Sequence, residues 1–413
     1  MVKLLHFADF HLGVELYGKT NAQDGINSRI HDFCARLDEL VAYATREQAD
    51  LVIFAGDAFK NRQPNPTIQR EFAHRVSDLA ARCPVVLLIG NHDMAQSEHR
   101  ASSIDIYDTL NVPGVLVGSQ YDLYDVETPS GKVFVGTAPY PIRQTLLKDS
   151  RAQGKSISEL DALLLEALIG ELDILGKRAE NAQPADAPRV LVGHFSVSGA
   201  ELGSEQGIMI GRDTIVPISA LDTPAWDYVA LGHIHKHQNL TGGRQGATPV
   251  VYAGSMERID FGEERQPKGF CWVDLERGKT RWKFVPVRSR PFVTLRIDVR
   301  GEIDPMPNIL AAIHEAELAE AVVRVILRAD VESEKLIRDA PIYAALKDSK
   351  ASVYTLSKEV ERSARSRLGD VPEGLTPHEL LERYFVSLNY SPEYVEDLLT
   401  YAAPFLQGDA EGG

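Results

Sequence analysis

The chain has 413 residues, with 44 Lys and Arg against 59 Asp and Glu, a formal charge of −15 with neutral histidine. An apolar fraction of 44% excludes global disorder, and no run of about 18 apolar residues exists to span a membrane. At roughly 150 residues per domain, the length predicts two or three domains.

The first residues, Val2-Lys3-Leu4-Leu5-His6-Phe7, run straight into Asp9 and His11 and leave no room for a secretory leader. Cys34, Cys83 and Cys271 stand far apart with no CxxC, which argues against a disulfide framework or a Cys-type zinc site. They read as small buried hydrophobes in a cytoplasmic protein. The acidic total argues against a surface coated in nucleic acid, but it leaves room for a local basic groove.

In chain order, Val2–Ala8 reads as an apolar strand. Residues 27–48 carry Ile30, Phe33, Leu37, Leu40 and Ala44 at helical spacing. Leu51–Ala55 is a short buried strand, Ile68–Ala81 a helix, and Val85–Ile89 another strand. Strands follow at Lys132–Gly136, Arg189–Val192 and Tyr228–Leu231, with a helix near Glu159–Glu180. Val250–Ala253 and Gly269–Asp274 read as antiparallel strands closing a layered α/β domain over 1–289. A small α/β module over 290–366 has a strand through Val293, Leu295, Ile297 and Val299. A helix at Ile309–Ala319, a strand at Ala321–Leu327, a helix at Glu334–Lys347 and a strand at Ser352–Leu356 complete it. In 367–413, Thr376 and Glu379 form a capping box, and Ser391-Pro392 starts a second helix. The apolar faces of these two helices need a partner, within the chain or outside it. The tail Gln407–Gly413 reads as disordered.

Five polar motifs each follow a predicted strand: Asp9-Phe10-His11, Gly56-Asp57, Gly90-Asn91-His92-Asp93, Gly193-His194 and Gly232-His233-Ile234-His235. Ligands of open α/β sheets bind beyond the carboxyl ends of strands, so these clusters are expected to converge. Carboxylate, amide and imidazole together suit a borderline ion such as Mn²⁺, Fe²⁺ or Zn²⁺. Seven or eight candidate ligands are too many for one ion, so two ions sharing a bridging carboxylate are expected. The glycines before Asp57, Asn91, His194 and His233 suit tight turns. His31, His74, His99, His237, His314 and His378 read as ordinary polar residues.

This ordered set resembles the calcineurin-like metallophosphoesterase superfamily. The stretches Ala8-Asp-Phe-His-Leu-Gly13, Ala55-Gly-Asp-Ala-Phe59 and Tyr252-Ala-Gly-Ser-Met-Glu-Arg-Ile-Asp-Phe-Gly-Glu263 resemble its SbcD-type nuclease branch. The resemblance implies a two-sheet α/β sandwich, a small α/β capping domain that contacts DNA, and a C-terminal helical segment. It implies one ion on Asp9, His11, Asp57 and His235, and a second on Asp57, Asn91, His194 and His233, with Asp57 bridging. His92 would stabilise or protonate the leaving oxygen, and Asp93 would orient that imidazole or, equally, serve as a structural cap after the loop.

The implied activity is phosphodiester hydrolysis of DNA by a hydroxide activated between two divalent ions, most often Mn²⁺, with Mg²⁺, Fe²⁺ or Zn²⁺ as alternatives. The implied partners are DNA ends or hairpins, an SbcC-type ATPase held by residues 376–405, and a second copy of the chain. The implied location is cytoplasmic and nucleoid-associated. Lys60, Arg62, Arg100, Arg258 and Lys268 are the candidate DNA-contacting cations. Lys60 departs from the His or Asp of many relatives and reads equally as a phosphate contact or a solvated loop residue. Two other functions remain open: a phosphodiesterase for small substrates, and a scaffold with a weak site.

Overall fold

In the computed structural model, which describes residues 1–94, 101–147, 154–203, 213–242, 244–361, 375–388 and 390–406, β1 (Val2–Phe7) sends alternate side chains into two cores. Leu5 and Phe7 pack with Phe33, Leu37 and Phe72 of the helices Ser28–Glu47 and Pro66–Ala80. Val2 and Leu4 face Val190, Val192, Tyr228 and Ala230 of a second sheet. The period of two along a strand makes this sorting possible.

The same alternation builds both sheets. The first has the order β14 (Arg281–Pro286), β13 (Gly269–Leu275), β1, β2 (Leu51–Phe54), β3 (Val85–Leu88), β4 (Val115–Gly118). The second runs β11 (Gln238–Asn239), β12 (Val250–Tyr252), β10 (Tyr228–Gly232), β7 (Arg189–His194), β6 (Gly131–Ala138), β5 (Asp122–Thr128). The helix Ile157–Asn181 covers the outer face of the second sheet, with Leu168, Leu172 and Leu175 against Leu191 and Val229. A short parallel ladder joins β8 (Ser196–Val197) to β9 (Ile215–Val216). The layers are helix, sheet, sheet, helix, as expected of the metallophosphoesterase sandwich.

The strands that carry the polar motifs run parallel: β1 with β2, β2 with β3, and β7 with β10. Their carboxyl ends therefore leave each sheet on one edge. Strand β13 pairs antiparallel with β1, as expected. Strand β12 does not follow its expectation: it lies parallel to β10. The chain reverses once after β10 to form β11, antiparallel to β12, and the second reversal restores its direction.

One compact unit comprises residues 1–293 and 320–322, and a second comprises 294–319 and 323–413. The second holds all but the first residues of a sheet of β15 (Phe292–Asp298), β16 (Val322–Asp330) and β17 (Val353–Glu361), with helices Met306–Glu315 and Asp339–Asp348. The helix expected over 334–347 starts late, as Asp339–Asp348, and of the expected first turn only Glu334 is helical, as the end of the separate turn Val331–Glu334. Pro341 explains the late start, because proline sits well in a first turn and badly in a helix interior. Helices Pro377–Ser387 and Pro392–Leu406 follow, and Thr376 and Glu379 form the expected capping box. The tail Gln407–Gly413 lies outside the described residues. Cys34, Cys83 and Cys271 are free and buried, and burial pushes their thiols up to about 11, 11 and 12. Among the described residues no helix is long and apolar enough to cross a membrane.

His6 lies wholly buried on β1, its Nδ1 3.1 Å from the Tyr228 hydroxyl. Burial lowers its pKa from 6.5 to about 3. The unfolded chain therefore binds one more proton than the folded chain below pH 6.5, so stability falls as pH falls. Urea unfolding in chelator at pH 7 and pH 5 is expected to show this loss. His6→Gln should make the difference between the two pH values smaller by about 2 kcal/mol.

Candidate metal centre

The loops after β1, β2, β3, β7 and β10 meet, linked by hydrogen bonds between residues distant in the chain. Asp9 N donates to Gly56 O at 3.0 Å, and His233 N donates to Asp9 Oδ1 at 2.8 Å. His194 Nδ1 donates to Ala55 O at 2.7 Å, and His92 N donates to Asp57 Oδ1 at 2.8 Å. Asp9, His11, Asp57 and His233 hold φ values of 49°, 46°, 63° and 94°. Non-glycine residues rarely occupy this left-handed region, so the loops store strain that the packing must hold.

Two glycines are needed for different reasons. Gly56 has φ +96°, a conformation that L side chains rarely adopt. Gly90 has no positive φ, but a Cβ there would lie 2.1 Å from Asp57 Oδ1. Its role is close approach of two loops, not the tight turn expected of it.

The seven expected ligands fall in one buried cluster. His11 Nε2 lies 3.0 Å from His235 Nε2 and 3.5 Å from Asp57 Oδ2. His194 Nε2 lies 3.4 Å from Asp57 Oδ2 and 3.0 Å from Asn91 Oδ1. His233 Nδ1 lies 3.0 Å from the same Asn91 oxygen. Ligand atoms of Asp9, His11 and His235 lie within 4.8 Å of one another, as do those of Asp9, Asp57 and His194. Asp9 Oδ2 is buried and has no hydrogen-bond partner among the described residues. An unpartnered buried carboxylate oxygen among imidazoles is costly unless a cation completes it, so the donor set fits bound divalent ions.

The charges agree with this reading. Burial alone would raise the Asp57 carboxyl, but the imidazoles of His194 and His11 outweigh it and hold it well below the carboxylate range. Burial opposes charge on His194 too, yet Asp57 and Asp9 bring its pKa up to about 9. Burial raises Asp9 and depresses His11. Such a cluster holds protons when metal-free and releases them to a cation.

His92 is half-buried at the rim, with ring atoms near His11 and Asp57. Its Nδ1 donates to Lys60 O at 2.9 Å. Asp93 does not orient this ring; of its two readings, the structural one holds. Its buried carboxylate accepts from Asp57 N at 2.8 Å, Ala58 N at 2.9 Å and Gly90 N at 3.1 Å. The backbone amides are nearer and claim it.

Two candidate DNA contacts are also corrected. Lys268 is buried, with Nζ 2.9 Å from Glu263 Oε2 and 2.7 Å from Ser255 Oγ. Arg258 donates to the carbonyls of Glu263, Glu264, Gln266 and Arg290 and to Ser289 Oγ, so its guanidinium is engaged inside the protein. Lys60 and Arg62 are exposed, and Arg100 lies outside the described residues. His237 is structural: its ring stacks on Phe284 at 4.1 Å, and Nδ1 donates to Tyr252 O. Sequence reasoning missed Asp213, Glu263 and Tyr140. Asp213 Oδ2 lies 2.9 Å from His233 Nε2, Glu263 Oε1 lies 2.8 Å from His235 Nδ1, and the Tyr140 ring sits 5.5 Å from that of His233. Only Glu263, at the end of a quoted motif, carried any sequence signal.

Asp93→Ala would strand three buried N–H groups. A loss of about 3 kcal/mol or more in urea unfolding is expected. Calorimetry should show metal affinity falling with it.

The Calcineurin-like phosphoesterase family profile matches residues 2–237. A protein of Rhodobacter capsulatus, named as the SbcD component of the SbcCD nuclease, is 29% identical over 337 residues, covering 77% of either chain. The protein of that name from Bacillus subtilis is 28% identical over 302 residues, covering 71% of each. That from Staphylococcus saprophyticus is 25% identical over 295 residues, covering 70% of this chain and 69% of its own. These similarities bear out the SbcD-type resemblance read from the motifs. The chain belongs to the calcineurin-like phosphoesterase family, metal-dependent hydrolases of phosphate esters built around a dinuclear site.

Proposed function

We propose that the chain is a Mn²⁺-dependent DNA nuclease that acts with an SbcC-type coiled-coil ATPase in double-strand-break processing. The observation that carries this reading is the convergence of seven donor residues from five strand-end loops, with half-buried His92 at their rim. The relatives named as SbcCD nuclease components support DNA as the substrate.

In this reading Asp9, His11, Asp57 and His235 hold one ion, and Asp57, Asn91, His194 and His233 hold the other. Two bound divalent ions supply positive charge to the phosphate oxygens and acidify the attacking water. The protein's own groups do the rest. Asp57 stays ionised, held by its imidazoles, and joins the two halves of the donor set. Asp93 fixes the spacing of the loops that carry Asp57 and Asn91. His92, anchored through Nδ1–H to Lys60 O, presents Nε2 to the leaving sugar oxygen and, as the imidazolium that carries a proton on both nitrogens, gives the Nε2 proton to it. Lys60 and Arg62, exposed on the same loop, receive flanking phosphates.

Residues 290–366 act as the capping domain, and 367–413 hold the ATPase through the helix pair at 376–405. Tyr394 and Tyr401 are exposed there, at 52% and 76%. Ile106 and Leu110 are exposed on the short helix Asp105–Thr109 and at its end, whereas Ile104 and Tyr107 belong to the core. The first pair supplies the homodimer contact. A cytoplasmic, nucleoid-associated location accompanies this role.

The test is degradation of end-labelled linear duplex DNA in Mn²⁺. Asp57→Ala is expected to abolish it, and chelator to do the same. His92→Ala should lower the rate by about 10²–10⁴-fold while ion binding by calorimetry stays intact. Intact DNA with cleavage of bis-(p-nitrophenyl) phosphate would point to a small-substrate enzyme or a missing ATPase. Inertness toward both would favour the scaffold. A second outcome concerns Lys60: Lys60→Ala should raise the KM for DNA and flatten its salt dependence by about one charge, with little change in kcat.

A further inference from the structure

His233 and His235 stand two residues apart after β10, yet they turn opposite ring nitrogens to the donor cluster. His233 directs Nδ1 to Asn91 and Nε2 to Asp213. His235 directs Nε2 to His11 and Nδ1 to Glu263. The left-handed φ of 94° at His233 breaks the strand alternation and lets the two rings diverge.

An ionised carboxylate only accepts, so the nitrogen facing it carries the proton and the other keeps its lone pair. At His233 both neighbours accept, Asn91 Oδ1 at Nδ1 and Asp213 Oδ2 at Nε2, but the charged carboxylate is the stronger acceptor, so the lone pair lies on Nδ1 in His233 and on Nε2 in His235. Both carboxylates are themselves held in place. Ser196 Oγ donates to Asp213 Oδ2, and Tyr140 Oη lies 3.4 Å from Oδ1. The wholly buried Glu263 accepts from Ile259 N at 2.9 Å and pairs with Lys268 at 2.9 Å.

We propose that Asp213 and Glu263 are positioning residues that fix opposite tautomers at His233 and His235, so that two imidazoles on one short loop serve two different ions. Neither carboxylate belongs to the donor set. The buried Lys268, corrected above as a DNA contact, has its role here as the counter-charge of Glu263. This deepens the two-ion reading and rests on it for the binding measurement, but not for the tautomers.

The first measurement is long-range ¹H–¹⁵N correlation on metal-free protein labelled at histidine, at pH 8. His233 is expected as the Nε2–H tautomer and His235 as the Nδ1–H tautomer, assigned by His233→Gln and His235→Gln. Asp213→Asn should disturb only the first and Glu263→Gln only the second. The second measurement is calorimetric titration with Mn²⁺. Each variant should weaken one of the two ions by about 10–100-fold and leave the other unchanged. Glu263→Gln removes the buried counter-charge of Lys268 and can unfold the chain, so Glu263→Gln with Lys268→Met repeats the test with both buried charges removed. Unchanged tautomers and affinities in folded variants would overturn the proposal. Wild-type protein that takes up no Mn²⁺ would overturn the two-ion reading instead, while the spectra would still decide the tautomers.

Discussion

The buried carboxylate of Asp93 ties the end of β2 to the end of β3, and the site hangs on that tie. Three backbone amides, from Asp57, Ala58 and Gly90, converge on it. Burial and the nearby charge of Asp57 raise its pKa, so the amides must offset a real cost of holding charge there. With those amides fixed, Asp57 and Asn91 leave their strands at a set separation. His92 N closes the link by donating to Asp57 Oδ1. The Asp57 carboxylate is thus placed by a carboxylate that lies outside the donor set.

Strain is concentrated in the same place. Among the described residues nine non-glycine positions have positive φ, and Asp9, His11, Asp57 and His233 are four of them. A regular strand end would send successive side chains to opposite faces. The left-handed residues defeat that alternation and turn carboxylates and imidazoles inward together. The cost is borne by the sandwich, whose inner strands are buried on both faces.

Much of this was legible in the sequence. Alternating apolar runs in β1, β3, β7 and β10 gave the layers, and a polar motif after each gave the place where they meet. What escaped was set by contacts distant in the chain or by geometry that residue type does not report. Asp213 looks like any loop aspartate until His233 is beside it. Lys268 and Arg258 read as surface cations because residue type does not report the burial of Lys268 against Glu263 or the five oxygens around Arg258. Asp93 follows a histidine and so suggested an imidazole partner, whereas the backbone amides of another loop claimed it. Pro341 was visible as a residue of a first turn and would have delayed the start of the helix expected over 334–347.

The bond from His233 N to Asp9 joins residues 224 apart in the chain, near its start and beyond its middle. No unfolded segment can assemble donors so far separated, so the centre exists only in the folded domain. Any cation it takes up therefore favours the native state by mass action, growing with the logarithm of free ion concentration. Divalent ion supply then governs how long the folded protein persists as well as how fast it works. A cell short of the ion would hold a less durable protein, more open to proteolysis, before any question of turnover arose.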